Sequence, residues 1–242
     1  LAISGMLTKQ GNTYGLGATA NVFLDKSKPS YMGGIANFLL HPYHRGGFAN
    51  LTQIVRDGGL VVYPTDSCYA LGCPIGDKAA MERIRTIRDV DERHNFSLLC
   101  RDLGEAAAYA RIDDRQFRLI KASTPGSYTF ILQATREVPR RLMHPKRRTI
   151  GVRIPDHRVV QTLLAELGEP LLTSTLILPD DAQPLSDPHE IRERLEKRVD
   201  LIIDGGACGA EPTTVVDLTG DVPLITRQGR GPAEIFGEFV GA

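Results

Sequence analysis

The stretch that most constrains this chain is Gly58-Gly59-Leu60-Val61-Val62-Tyr63-Pro64-Thr65-Asp66-Ser67. Four apolar residues bounded by Gly-Gly and Pro read as a short buried strand. Pro64 removes a backbone donor and ends the ladder. Thr65, Asp66 and Ser67 therefore fall just past a strand end, where α/β proteins usually bind ligands. Taken alone, the same three residues also suit an ordinary polar turn.

Further elements alternate along the chain. Phe38–Leu40 reads as an opening strand, and Phe48, Leu51, Ile54 and Val55 follow helical spacing up to Gly58-Gly59. Met81, Ile84 and Ile87 mark a helix whose other faces carry Arg83, Arg85 and Arg88. Strands are expected at 96–100, 128–132, 149–154, 171–178 and 201–203, with a hairpin of 214–218 and 222–226. The strand at 171–178 is interrupted by Thr173-Ser174-Thr175. Asp102-Leu103-Gly104-Glu105 suggests a capping box, Asp113 or Asp114 caps the next helix, and Val159, Val160, Leu163, Leu164 and Leu167 form an amphipathic helix ended by Gly168. The pattern predicts a mixed α/β sheet with helices on its faces.

The expected organisation is one domain over 35–232, an N-terminal extension over 1–34 with little structure, and a tail over 233–242. The extension is rich in Gly, Ser, Thr and Asn, and Met32-Gly33-Gly34 reads as a natural start. Gly15-Leu16-Gly17-Ala18-Thr19-Ala20 imitates a dinucleotide fingerprint, but no strand is expected before it, so the motif is set aside. No apolar run approaches ~20 residues, so no membrane span is expected. Cys68, Cys73, Cys100 and Cys208 form no paired C-x-x-C knuckles, and the histidines lack metal-ligand spacing. Reduced thiols in a cytoplasmic protein without structural metal are the expectation.

Donor residues recur at strand ends. They are Thr65 and Ser67, Thr129, Arg153, Ser174 and Thr175, Thr213 and Thr214, and Arg227. Hydroxyls and guanidiniums suit phosphate and carboxylate oxygens. There is no P-loop and no G-x-S-x-G elbow. The formal net charge is zero, so any pull on nucleic acid must be local. Eight basic residues against two acidic ones lie between 136 and 158, including Arg140, Arg141, Lys146, Arg147 and Arg148. Such a stripe either binds phosphate, in a nucleotide or in RNA, or is a solvated strand edge kept from pairing.

Val62-Tyr63-Pro64-Thr65-Asp66-Ser67-Cys68-Tyr69-Ala70-Leu71-Gly72 resembles the signature of the YrdC/TsaC family. Family-like segments follow in order: Pro125–Thr129, Gly151–Pro155, Pro170–Ser174, Asp204–Gly206, Pro212–Asp217 and Ile225–Gly229. His94 to Leu103 looks most like the YciO branch. The resemblance implies a YrdC-like twisted mixed sheet with a concave basic cleft. It also implies L-threonylcarbamoyladenylate synthase chemistry, condensing ATP, L-threonine and bicarbonate into threonylcarbamoyl-AMP for tRNA modification. ATP is then a substrate, with Mg as its candidate companion. By resemblance, Thr65, Thr129 and Arg88 hold threonine and its carbamate, and Arg88, Arg153, Ser174, Thr213 and Arg227 face the nucleotide. The alternative is a protein that binds double-stranded RNA, tRNA or nucleotide without synthase activity, through Arg140, Arg141, Lys146, Arg147 and Arg148.

The chain departs from the family pattern in three places. The K-x-R pair reads Thr86-Ile87-Arg88, with Arg85 as a substitute cation. The S-x-N motif reads Ser174-Thr175-Leu176, and two residues are inserted before Asn95. Synthase activity is therefore expected to be weakened, since losing one positioned donor often costs about 10²–10³ in rate.

Overall fold

The computed structural model describes residues 7–10, 13–16, 52–92 and 94–236. The chain divides into two compact units, Leu1–Leu51 and Thr52–Ala242. In the first, β1 (Leu7–Gln10) and β2 (Thr13–Leu16) pair antiparallel. This corrects the sequence expectation of no strand here. Gly15 and Leu16 of the fingerprint-like segment lie inside β2, and its other residues lie outside the described ones. Phe38–Leu40, Phe48 and Leu51 lie outside the described residues.

The second unit opens on a helical segment, 52–56, that ends where expected. Gly58, at φ +90°, and Gly59 return hydrogen bonds to the Val55 and Ile54 carbonyls, 3.1 and 2.9 Å. That paired pattern satisfies the last carbonyls of a helix and needs a residue tolerant of positive φ.

Nine strands follow in one mixed sheet. In chain order they are β3 (Val61–Tyr63), β4 (Ala70–Pro74), β5 (Ser97–Leu99), β6 (Tyr128–Gln133), β7 (Thr149–Arg153), β8 (Leu171–Thr175), β9 (Leu201–Ile202), β10 (Thr214–Asp217) and β11 (Leu224–Arg227). Their spatial order is β11-β10-β6-β7-β5-β8-β4-β3-β9. The pairs β10/β6, β5/β7 and β3/β9 are parallel and the rest antiparallel. Between them run α1 (Lys78–Arg88), α2 (Leu103–Tyr109), α3 (Asp114–Ser123), α4 (Arg158–Leu167) and α5 (Pro188–Leu195).

The caps follow from local sequence. Asp77 accepts from Ala80 N and starts α1. Asp113 and Gln116 form a reciprocal capping box on α3. The box expected at Asp102 is only half present. Asp102 accepts from Glu105 N, but the Glu105 carboxylate takes the Arg101 N–H instead, one residue upstream.

Strand alternation sorts the side chains. Leu98, Phe130, Leu132, Ile150, Val152, Leu172 and Val216 join one continuous apolar core with Ile84 and Ile87 of α1. Their strand neighbours point to the opposite face. There, paired positions run across the sheet as Ile131, Gly151, Ser97, Thr173 and Gly72. Short side chains in that row leave a depression in the sheet surface. Gly151 is at its centre, because a Cβ there would stand 2.6 Å from Ser97 Oγ and 3.2 Å from the Thr129 methyl.

Candidate functional site

A cavity of about 250 Å³ opens over this row. Arg88, Arg147, Arg153 and Arg227 line it with His94 and His144, and among the described residues no carboxylate does. Several cations around one hollow repel one another until an anion enters, so the arrangement selects negative ligands.

Arg153, at the end of β7, is 4% exposed. Its Nη2 donates to Ser67 Oγ at 3.1 Å and to Thr65 Oγ1 at 3.4 Å. Thr65 is itself committed to its turn. Its hydroxyl donates to the Cys68 carbonyl at 2.7 Å and accepts from the Ser67 and Cys68 N–H groups at 3.2 Å. It borders a neighbouring hollow with Asp66, Ser127 and Arg230 rather than the main cavity, and it meets the cavity only through Arg153.

Thr129 and Thr213 bring their hydroxyls within 2.7 Å. Arg227 Nη2 donates to the Thr213 carbonyl at 2.9 Å and lies 3.3 Å from its hydroxyl. Across the cavity, Arg88 in the last turn of α1 donates to Ser174 Oγ at 2.5 Å and to the Ile177 carbonyl at 3.4 Å. Burial lowers the pKa of Arg88 and Arg227, and the Arg153 charge lowers that of Arg227 further. Thr129, Thr213, Ser174, Arg88, Arg153 and Arg227 thus share one cavity.

His94 belongs to the same cluster. Its Nε2 lies 2.8 Å from Arg88 Nη1 and 3.0 Å from Ser174 Oγ. Beside a guanidinium donor, Nε2 acts as the acceptor. Burial, then the Arg88 and Arg85 charges, push the His94 pKa down to about 4. The ring is therefore neutral at physiological pH. The buried thiol of Cys68 has its pKa raised by desolvation, so it is no ready thiolate nucleophile. The donor set suits binding and orienting anions.

The divergent positions lie off the cavity wall. Leu176 is fully buried in the core. Thr86 donates its hydroxyl to the Glu82 carbonyl one turn back, 2.9 Å. Arg85, the expected substitute cation, is engaged elsewhere. It pairs with Glu82 at 2.6 Å and lies over the Phe96 ring, 5.5 Å from its centroid.

Within the basic stripe, Arg147 borders the cavity and pairs with Asp217 at 2.9 Å, and Arg141 bonds to the Gly76 carbonyl. Arg140, Arg141, Lys146, Arg147 and Arg148 are all exposed. Among the described residues no three His, Cys, Asp or Glu side chains gather as a metal site, and no helix is long and apolar enough to cross a membrane. Sequence reasoning passed over His94, His144 and the place of Arg147 at the cavity. The insertion before Asn95 was the available signal for His94.

The family model Sua5_yciO_yrdC, described as telomere recombination, matches residues 53–229. The chain is 56% identical over 184 residues to the Escherichia coli K12 uncharacterized protein YciO, covering 76% of this chain and 89% of that one. It is 28% identical over 163 residues to a threonylcarbamoyl-AMP synthase of Vibrio vulnificus, covering 65% and 87%. Among solved structures, E. coli YciO superposes with a TM-score of 0.76 at 54% identity, over 79% of this chain and 93% of that one. Sua5 of P. abyssi complexed with L-threonine superposes at 0.73 with 26% identity, over 79% and 58%.

Proposed function

The chain belongs to the Sua5/YciO/YrdC family, and from that premise we propose that its cavity binds ATP and, slowly, forms threonylcarbamoyl-AMP from ATP, L-threonine and bicarbonate. The observation that carries this reading is the gathering of Arg88, Arg153, Arg227, Ser174, Thr129 and Thr213 on one cavity, with no carboxylate in its wall among the described residues.

The chemistry asks for such a site. Bicarbonate takes up a proton and loses water to give carbon dioxide, and the neutral threonine amine adds to it, releasing a proton and leaving a carbamate. A carbamate oxygen attacks the α-phosphorus of ATP, the bond to the β-phosphate oxygen breaks, and pyrophosphate leaves. The carbamate, ATP and pyrophosphate are all anionic, so positioning and charge stabilisation supply the catalysis. In this reading Arg153, Arg227, Ser174 and Thr213 hold the nucleotide phosphates and ribose. Arg88 and Thr129 orient the carbamate, and Thr65 acts through Arg153. Mg enters as the nucleotide's own counter-ion.

Relatives that carry the synthase name support the reaction class. Thr86 and Leu176 support the expectation of a weak enzyme, since neither side chain reaches the cavity. The test is a stoichiometric incubation of protein with ATP, L-threonine and bicarbonate. Threonylcarbamoyl-AMP and pyrophosphate should form only when all three are present. Full recovery of ATP would refute the reaction.

A further inference from the structure

Against the β6–β7 connection lies a second hollow, of about 760 Å³, which shares His144 with the cavity. Arg111, Arg136, Arg140 and Arg148 border it, together with His144, and among the described residues no acidic side chain does. Among the described residues, none of these four guanidiniums has a side-chain hydrogen bond or ion pair. Some arginines elsewhere do meet carboxylates, as in Arg83–Asp200, Arg101–Glu105 and Arg194–Asp181. An electrically neutral chain has therefore left four cations together and unpaired.

The arrangement is held in place by the backbone. Arg111 N donates to the Gln133 carbonyl at 2.8 Å, Thr135 N to the Tyr109 carbonyl at 2.9 Å, and Ala134 N to the Arg148 carbonyl at 3.0 Å. Arg148 N donates back to the His144 carbonyl at 2.9 Å. Three chain segments thus present their arginines from fixed positions. Arg148 does so at φ +53°, a left-handed conformation where Gly or Asn is the cheap choice. The floor is apolar, with buried Val138 and half-buried Met143. His144 accepts the Lys146 and Arg147 N–H groups on Nδ1, which leaves Nε2 as a donor.

We propose that this hollow is a second anion site, separate from the nucleotide cavity, and that it takes a compact polyphosphate group. Convergent guanidiniums around a concave floor match several phosphate oxygens at once. A duplex backbone would instead meet cations spread along a ridge.

The experiment is a calorimetric titration of the full chain with inorganic tripolyphosphate. It compares wild type, the hollow variant Arg136→Gln/Arg148→Gln, the cavity variant Arg227→Gln, and a charge-matched control, Arg115→Gln/Arg118→Gln. Arg136, Arg148, Arg118 and Arg227 are exposed and Arg115 is half-buried, so thermal melts should confirm folding of all three variants. The hollow component should weaken about 100-fold in the hollow variant, roughly tenfold per guanidinium. It should persist in Arg227→Gln and change less than twofold in the control. Persistence in Arg227→Gln separates this site from the cavity, whatever the cavity binds. Equal weakening in the control, or no change in the hollow variant, would overturn the proposal. So would a short RNA duplex whose binding needs Arg136 and Arg148 while tripolyphosphate binding does not.

Discussion

Arg153 Nη2 stops 3.6 Å from Asp66 Oδ1, inside ion-pair range and outside hydrogen-bond range. Both side chains are more than nine-tenths buried. Arg153 Nε and Asp66 Oδ1 each lack a hydrogen-bond partner. The pair is therefore incomplete, and the guanidinium keeps donor capacity for a ligand oxygen. Arg153→Met should weaken ATP binding about 100-fold. It should also destabilise the fold by about 2 kcal/mol, less than the ~3–5 of breaking a well-formed buried pair. Urea unfolding and calorimetry read the two effects separately. Unchanged ATP affinity would remove Arg153 from the site.

His94 sets a pH dependence. Its pKa in the folded chain is about 4, against about 6.5 when unfolded. Between those values the unfolded chain binds more protons, so stability rises with pH. The contribution is complete above about pH 6.5 and is lost as pH falls toward 4. Half-buried His157, whose pKa is also lowered by burial, acts in the same direction. The melting temperature should fall on acidification through that window, and His94→Gln should flatten the fall. An unaltered profile in His94→Gln would place the proton uptake elsewhere.

Thr86 and Leu176 sit in unlike surroundings. Thr86 is exposed on α1, so Thr86→Lys should leave stability within about 0.5 kcal/mol. Leu176 is wholly buried among apolar side chains. Leu176→Asn should cost about 2–4 kcal/mol, because it loses packing and buries an amide. Thermal melts of the two single variants check this. Equal costs would contradict the placement of Leu176.

Gly151 controls the cavity floor. In Gly151→Ala the Ser97 hydroxyl can rotate away, but the Thr129 methyl at 3.2 Å is fixed on a central strand. The fold should survive while ATP affinity drops about tenfold. Wild-type affinity in Gly151→Ala would show that the ligand does not approach this floor.

Much of the fold was legible because strand and helix periods are local. Leu60 to Tyr63 read as a strand from its Gly-Gly and Pro borders, and α4 read from its apolar stripe. The strands Leu7–Gln10 and Thr13–Leu16 were missed because their residues alternate weakly. Strand ends moved by one to three residues, as at β8, where Thr175 and not Leu178 is the last paired position. The cavity was partly legible. Thr129, Arg153, Ser174, Thr213 and Arg227 recur near strand ends, and all five line one cavity on the sheet face. What could not be read was direction. Arg147 and Arg148 are adjacent in sequence, yet one faces the cavity and the other the second hollow. Likewise, Arg85 and Arg88 are separated by less than one turn, and only Arg88 points at Ser174.

The central claim is that Arg88, Arg153, Arg227, Ser174, Thr129 and Thr213 form one nucleotide site. Calorimetric titration of ATP into wild type and into Arg227→Gln tests it most directly. The account predicts one ATP per chain in wild type and at least tenfold weaker binding in Arg227→Gln, with an unchanged melting profile. ATP bound equally well by both proteins, or by neither, would contradict it.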